Sequence, residues 1–267
     1  MLFFVATPIG NLDDISKRAI DTLSQADLIL CEDTRHSKVL LDRYGIHRPL
    51  LSYHKFNEKK RLEELLSWLR EGKNIALITD AGTPCISDPG STLAKACIEE
   101  ELPFTAIPGA CSAIQALLLS GFSGERFQFI GFLPKKGKKE IRALLTYPGV
   151  SILFESPKRI LALLQAIAEI DPMRKVALLR EMTKKFEECI HGTSQDLVLR
   201  FKKEVSKGEF VVCIGPGELL EKGLSIQECI HMLQTLHGLT LKEAIKESAI
   251  LLGRSKKEIY RKNLEER

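Results

Sequence analysis

The sequence predicts an α/β protein: two successive α/β domains closed by a small helical appendage. Three observations carry that expectation. Short apolar runs of strand length alternate with stretches patterned at helical spacing from residue 2 to residue 214. The alternation resets across residues 121–124, where two glycines bracket a break. From Ser225 onward no strand pattern recurs, and three helix-start signatures follow one another.

The first domain opens with LFFVA, a strand over residues 2–6 that ends in Thr7, Pro8, Ile9, Gly10 and Asn11. Ile15, Ala19, Ile20 and Leu23 then recur at helical spacing. A second strand, 28–31, stops abruptly at Glu32, Asp33, Thr34, Arg35 and His36. Charged groups crowded at a strand's carboxyl end point to the crevice where open parallel sheets bind ligands. Asp33 or Thr34 also fits the N-cap of a helix over 35–44, and both readings stay open. Residues 51–57 (LSYHKFN) read as a loop before a charged amphipathic helix over 58–71, with Leu62, Leu65, Leu66 and Leu69 on its apolar face. Trp68 belongs with that core, and His54 reads as a surface or hydrogen-bonded histidine rather than a proton shuttle.

The stretch NIALITDAGTPCISDPG, residues 74–90, organises this domain. Residues 75–78 are apolar and uncharged, as in a strand buried on both faces. Gly82, Pro84, Pro89 and Gly90 then break the chain into a loop. Ser87 or Asp88 before Pro89 spells an N-cap with proline at the first helical position, which accounts for the SDPG half. It leaves Ala81, Gly82, Thr83 and Pro84 unexplained. Close approach of backbone to a ligand is the better account there. A helix near 90–100, a strand near 103–107, and the turn Pro108-Gly109-Ala110-Cys111-Ser112-Ala113, which launches a helix to about residue 120, complete the first domain.

In the second domain, a strand over 127–132 precedes the basic loop Lys135-Lys136-Gly137-Lys138-Lys139. A strand over 150–154 runs into Glu155-Ser156-Pro157-Lys158-Arg159 and a helix over 158–169. A strand over 175–179 ends in Arg180 and Glu181, and a hairpin-like segment (186–191), a helix (194–204) and a strand (209–214) follow. No G-x-G-x-x-G follows any strand and no Walker lysine follows Gly82-Thr83, so neither common nucleotide fingerprint is present. In the tail, Ser225/Glu228, Thr240/Glu243 and Ser255/Glu258 are capping-box pairs, and Gly238 and Gly253 stop the first two helices. The last helix carries Lys256, Lys257, Arg261 and Lys262 around Tyr260. The pair of helices resembles a helix-turn-helix whose second helix meets nucleic acid. A solvated basic helix closing a small bundle fits the same residues.

The chain has 267 residues, 44% apolar and 28% charged, an ordinary globular composition; a net charge of +4 does not by itself signal nucleic acid. No apolar run approaches the roughly 20 residues that cross a bilayer. MLFFVATPIG has neither a basic leader nor a cleavage site, so a cytoplasmic protein is expected. Seven scattered cysteines without a C-x-x-C pair argue against a disulfide framework or zinc knuckle, and no metal is expected.

Together, VATPIGNLDDIS, CEDTRHS, SYHKFNE, TDAGTPCISDPG, IPGACSA, FESPKR, REMTKKFEE and KGEF occur in the order and spacing of one family. Essentially end to end, the chain resembles the bacterial small-subunit ribosomal RNA (cytidine-2′-O)-methyltransferases of the tetrapyrrole-methylase superfamily. The resemblance implies two α/β domains of the tetrapyrrole-methylase type, with S-adenosylmethionine in a cleft between them, and a homodimer. The domains are expected over 1–121 and 122–216, with an RNA-contacting tail over 225–267. It implies Pro8 and Gly10 on the cleft floor, Gly82, Thr83, Ile86, Ser112 and Ala113 against the cofactor, and Phe154 and Met182 closing the pocket from the second domain. Phe154 stands where tyrosine is common, which removes a hydrogen bond near the cofactor or ribose. Lys158 stands where histidine is common and adds positive charge.

An activated sulfonium donor carries the hard chemistry, so the protein must align donor and acceptor and exclude water. A ribose hydroxyl is a poor nucleophile at neutral pH, and a carboxylate, a histidine or a nearby cation assists it. Asp33 and Arg35 in the first domain and Glu155 and Glu181 in the second are the catalytic candidates, unranked. Small-subunit (16S) ribosomal RNA, naked or in the assembled subunit, is expected to meet Lys135, Lys136, Lys138, Lys139, Lys256, Lys257, Arg261 and Lys262 through salt-sensitive phosphate contacts. Two alternatives stand beside this reading. One is a methylase of the same fold acting on a tetrapyrrole or a protein, against which the basic loop and tail argue. The other is a nucleic-acid-binding regulator with a ligand-sensing body, which removal of residues 225–267 distinguishes.

Overall fold

The computed structural model describes residues 1–134, 138–203, 207–216, 225–235 and 238–265. They form two compact units, Met1–Gln115 with Met182–Lys185, and Ala116–Glu181 with Phe186–Arg267.

In the first unit, strands β1 (Leu2–Val5), β2 (Leu28–Cys31), β3 (Leu50–Ser52), β4 (Ile75–Leu77) and β5 (Phe104–Ile107) alternate with helices α1 (Lys17–Gln25), α2 (Thr34–Arg43), α3 (Glu58–Arg70) and α4 (Ser91–Glu99). The sheet order is β3-β2-β4-β1-β5, and every pairing is parallel. Parallel neighbours need helical crossovers, and the crossovers cover both faces. Leu2, Leu30, Ile75 and Leu77 pack with Leu65, Leu66, Leu69 and Leu93 on one side. Val5, Ile29, Ala76 and Ile78 pack with Ala19, Leu23 and Leu41 on the other. This double burial is why the strands read as unbroken apolar runs.

Three local expectations change. Lys138 and Lys139, expected in the basic loop 135–139, instead open a helix over residues 138–146 that buries Ile141, Leu144 and Leu145. Residues 50–52, expected in part as loop, form the edge strand β3, paired only with β2 through Ile29↔Leu50 and Cys31↔Ser52. Three half-buried residues are too few to carry a readable period of two. The expected N-cap at Ser87 or Asp88 is also wrong. Helix α4 begins at Ser91 behind Gly90, whose φ is 129° and which makes no side-chain cap bond. Cys85 (φ 68°) and Ser87 (φ 72°) are both left-handed, so the chain turns twice more before it enters the helix.

Helix α5 (Ser112–Ser120) leads into the second unit, where β6 (Phe127–Phe132), β7 (Val150–Glu155), β8 (Lys175–Arg180), β9 (Glu188–Thr193) and β10 (Phe210–Ile214) form a sheet in the order β6-β7-β10-β8-β9. Only β6 and β7 are parallel; the other pairs run antiparallel. Helices α6 (Lys138–Thr146), α7 (Ile160–Ala168) and α8 (Ser194–Phe201) cover it through Leu145, Leu164, Ile167 and Phe201. Buried Arg174 fastens three segments, bonding Asp171 Oδ2 at 2.9 Å, Leu145 O at 2.9 Å and Gly215 O at 3.0 Å.

The tail forms α9 (Ile226–Thr235), α10 (Leu241–Leu251) and α11 (Lys256–Glu265) around Ile230, Leu233, Ile245 and Ile259. Reciprocal capping bonds form at Ser225/Glu228 and Thr240/Glu243. At the third start Ser255 accepts from the Glu258 N–H, while the Glu258 carboxylate takes Arg254 at 2.9 Å. Gly253 (φ 62°) ends α10 with bonds from its N–H to Ile250 O and from the Arg254 N–H to Ala249 O. Among the described residues no helix is long and apolar enough to cross a membrane.

Candidate functional site

At the carboxyl ends of the first unit's strands, four chain segments are stitched together. The Thr7 N–H donates to Gly82 O at 2.9 Å and the Gly82 N–H returns to Thr7 O at 3.1 Å, which ties the exit of β1 to the loop after β4. The Thr7 hydroxyl reaches Thr79 O at 3.1 Å, and the Thr83 hydroxyl reaches Ala110 O at 3.0 Å beyond β5. Gly82 adopts φ 85°, and a Cβ on it would lie 3.2 Å from Ile9 Cγ2. The fourth segment is 182–185. The Asn11 N–H donates to Thr183 Oγ1 at 3.0 Å, and a Cβ on Gly10 would lie 2.5 Å from Lys184 Cγ. Met182, expected from the second domain, therefore packs with the first unit. Left-handed Glu181 (φ 51°) and Thr183 (φ 64°) flank it.

Four of the five non-glycine residues with positive φ among the described residues fall in two segments, Cys85 and Ser87 in one, Glu181 and Thr183 in the other. Such residues cost about 1–3 kcal/mol each and persist where the surroundings over-determine them. Both segments contain residues that the sequence resemblance assigns to the cofactor.

The end of β2 places two adjacent carboxyls in opposite environments. Asp33 caps α2 by accepting the Arg35 N–H at 2.9 Å and takes the Arg35 guanidinium twice, at 3.1 and 2.7 Å. Those bonds hold its carboxyl well below the ordinary range. Glu32 goes the other way: burial, then the charges of Asp88 and Asp80, push it up to about 7. Its Oε1 is buried without a hydrogen-bond donor. Burial raises Asp88 to about 6, with Asp80 adding to the shift and a hydrogen bond to Glu32 opposing it. Glu32 and Asp88 thus titrate as a coupled pair that retains a proton near neutrality. Neighbouring Cys85 is pushed up to about 11, chiefly by burial, and is a poor nucleophile.

The other residues singled out in the sequence fall as follows. Pro8 and Ala113 are buried, Ser112 is half-buried at the start of α5, and Ile86 is exposed at the loop tip. Pro8, Gly10, Gly82, Thr83 and, through Ala110, the start of α5 are thus brought to one edge of the first sheet. In the second unit, half-buried Phe154 packs its ring edge-on to Phe129 (5.0 Å) and tilted to Phe132 (5.5 Å). Buried Glu155 accepts the Ser156 N–H at 2.7 Å and pairs with Arg159 at 3.2 Å, fastening that turn. Glu181 accepts the Glu209 N–H at 2.9 Å. On α11, Lys256, Lys257 and Arg261 are exposed and Lys262 is half-buried, with Ile259 and Asn263 turned inward. Lys135 and Lys136 lie outside the described residues; Lys138 and Lys139 open α6, and their side chains lie outside them too. Among the described residues no cluster of His, Cys, Asp and Glu could hold a metal ion. All seven cysteines are free.

Two five-stranded sheets with covering helices, one wholly parallel with glycine-bearing loops at its carboxyl edge, define a two-unit α/β protein. The family described as Tetrapyrrole (Corrin/Porphyrin) Methylases matches residues 1–198, and the chain belongs to it. Within that family, a relative from Mesorhizobium japonicum named "Ribosomal RNA small subunit methyltransferase I" is 42% identical over 270 residues, covering 99% of this chain and 91% of that protein. A Thermotoga maritima protein of the same name is 43% identical over 219 residues, covering 81% of this chain and 99% of that one. Among solved structures, a diphthine synthase superposes with a TM-score of 0.64 at 14% identity, covering 88% of this chain and 94% of that one, a likeness of fold alone.

Proposed function

We propose that this chain transfers a methyl group from S-adenosylmethionine to the ribose 2′-oxygen of a cytidine in small-subunit ribosomal RNA. The observation that carries the reading is the strained loop 80–90, bonded to Thr7 and Ala110 at the carboxyl edge of a parallel sheet. The names of relatives at about 40% identity point to small-subunit ribosomal RNA as the acceptor, and the sequence resemblance adds the cytidine 2′-oxygen. The residues fit such a cofactor. Gly82 holds a left-handed turn at the strand edge with no side chain to fill the space, and Thr83, Ser112 and Ala113 are small, as a site for a nucleoside and an amino-acid tail requires. When bound, S-adenosylmethionine supplies an activated methyl group. Pro8, Gly10, Gly82, Thr83, Ile86, Ser112, Ala113 and Met182 would hold it, with Phe154 proposed to shield it.

The chain must also take a proton from the ribose hydroxyl as its oxygen gains the methyl. We assign that step to the Glu32–Asp88 pair, which titrates near working pH, the optimum for a general base. Adjacent Asp33 stays ionised against Arg35, and a neighbouring pair split in this way is the usual mark of divided roles. Of the sequence candidates, Asp33 and Arg35 then orient the RNA, while Glu155 and Glu181 set the positions of their loops. Lys256, Lys257, Arg261 and Lys262, with Lys135, Lys136, Lys138 and Lys139, hold phosphates. The first domain is proposed over 1–121, with residues 182–185 joining it, the second over the rest of 122–216 and the tail over 225–267; the working form is proposed to be a homodimer, and a ribosomal substrate fits a cytoplasmic enzyme. Limited proteolysis and sedimentation test the boundaries and the dimer.

The chemistry is tested by methyl transfer across pH 5–9. Glu32→Gln is expected to lower kcat by 100-fold or more, on the order of general-base catalysis, and to flatten the acidic limb. Asp33→Asn should weaken RNA use and leave that limb in place. An unchanged kcat in Glu32→Gln would remove the proton assignment.

A further inference from the structure

The loop that follows β3 holds a feature the reaction above does not use. Phe56 is 94% exposed, more than any other large apolar side chain described; the next, Leu118, is 79% exposed. Single apolar residues on a surface are ordinary, but this one is displayed by a braced loop. The His54 N–H donates to Asn57 Oδ1 at 2.8 Å, Asn57 Nδ2 donates to Ser52 O at 3.0 Å, and the Phe56 N–H donates to His54 Nδ1 at 3.3 Å. The His54 and Phe56 rings meet at 6.1 Å and 63°. Lys55, Lys59 and Lys60, its neighbours in the chain, are exposed. The loop is also fixed to the proposed proton acceptor. The Tyr53 N–H donates to Cys31 O at 2.8 Å and the Ser52 hydroxyl donates to Glu32 O at 3.4 Å. The platform therefore follows β3, the strand paired with β2, and Glu32 follows β2.

We propose that Phe56, with Lys55, Lys59 and Lys60, is a stacking platform for an unpaired base of the substrate RNA. An exposed aromatic face with exposed cations close by in the chain has the chemistry by which proteins hold single-stranded nucleic acid, the ring taking a base and the cations taking phosphates. A membrane would ask for several apolar side chains side by side, and this loop offers one. Bracing the loop beforehand lowers the entropy lost when the base docks. The inference rests on the RNA-methylation reading for its occupant. It adds a contact that selects for an unstacked nucleotide beside the reacting one.

The test uses the full chain with three probes: an unstructured single-stranded RNA 12-mer for binding, and unmethylated small subunits and naked 16S RNA for methyl transfer. Phe56→Ala should weaken 12-mer binding and raise the RNA KM by about 5-fold to 150-fold, the range of one base stacked on an aromatic. The KM for S-adenosylmethionine and the thermal midpoint should stay unchanged. Phe56→Trp should restore binding. Lys55→Ala and Lys59→Ala should lower the salt slope of binding, which Phe56→Ala should not. Equal RNA binding by Phe56→Ala and the wild type overturns the platform, as does a wild type that binds no RNA. If the wild type binds RNA through Phe56 yet methylates neither ribosomal probe, the platform stands and the methylation reading falls.

Discussion

Glu32→Gln should make the protein more stable at alkaline pH while disabling it. The Glu32 carboxyl moves from an ordinary 4.5 to about 7 because burial and the charges of Asp88 and Asp80 disfavour its ionised form. A group whose folded pKa is raised holds its proton more tightly in the folded chain. The stability it contributes is complete below pH 4.5 and is lost as pH rises through 7. At about 1.4 kcal/mol per pH unit, the whole displacement is worth at most about 3 kcal/mol. The side chain is only partly buried and shares its proton with Asp88, which reduces the expected figure to about 1–2 kcal/mol. Glutamine keeps the shape, carries no charge and can donate to Asp88. Chemical denaturation at pH 5 and pH 8 reads the difference. The variant should exceed the wild type by about 1–2 kcal/mol at pH 8 and by much less at pH 5. Equal stability at both values, or a variant weaker at pH 8, would refute the buried, charge-crowded picture of this pair.

Three further outcomes follow from the geometry. Gly90→Ala places a Cβ 2.7 Å from Cys85 Sγ at φ 129°. It should cost about 1–3 kcal/mol in denaturant titrations and weaken cofactor binding by calorimetry; unchanged values would mean that the loop is loosely held. Arg174→Met strips donors from Asp171, Leu145 O and Gly215 O. It should destabilise the second unit by about 3–5 kcal/mol, the cost of breaking a buried pair, and a loss under 1 kcal/mol would contradict the clamp. Lys257→Ala and Arg261→Ala should each reduce the salt slope of RNA binding by about 1. An unaltered slope would leave α11 as a structural helix.

Local signals survived the step from sequence to structure, and pairings between distant residues did not. β1, β2 and β4 were readable because burial on both faces leaves an uninterrupted apolar run. β3 was not, because an edge strand of three residues is defined by its partner, not by its own pattern. Gly10 and Gly82 announced themselves, since a glycine in a loop reports a backbone demand at its own position. The Glu32–Asp88 pair stayed hidden because neither residue says which distant side chain it meets. Asp88 before Pro89 even imitates a helix cap. The tail's Ser225 and Thr240 boxes are self-contained and were legible. The third start kept only half its expected bonding because Arg254 claims Glu258. Asp33 caps α2 as one of its two readings expected, and binds Arg35 as well, since a carboxylate has lone pairs enough for each.

The central claim is that this chain methylates a ribose oxygen of small-subunit ribosomal RNA. It is tested most directly with S-adenosylmethionine labelled in its methyl group, supplied to small subunits that lack the modification and to naked 16S RNA, with the product mapped by nuclease digestion and mass spectrometry. Label is expected on a single 2′-O-methylcytidine. Label on a base, on protein or on a tetrapyrrole, or none on either RNA while the cofactor still binds, would contradict it.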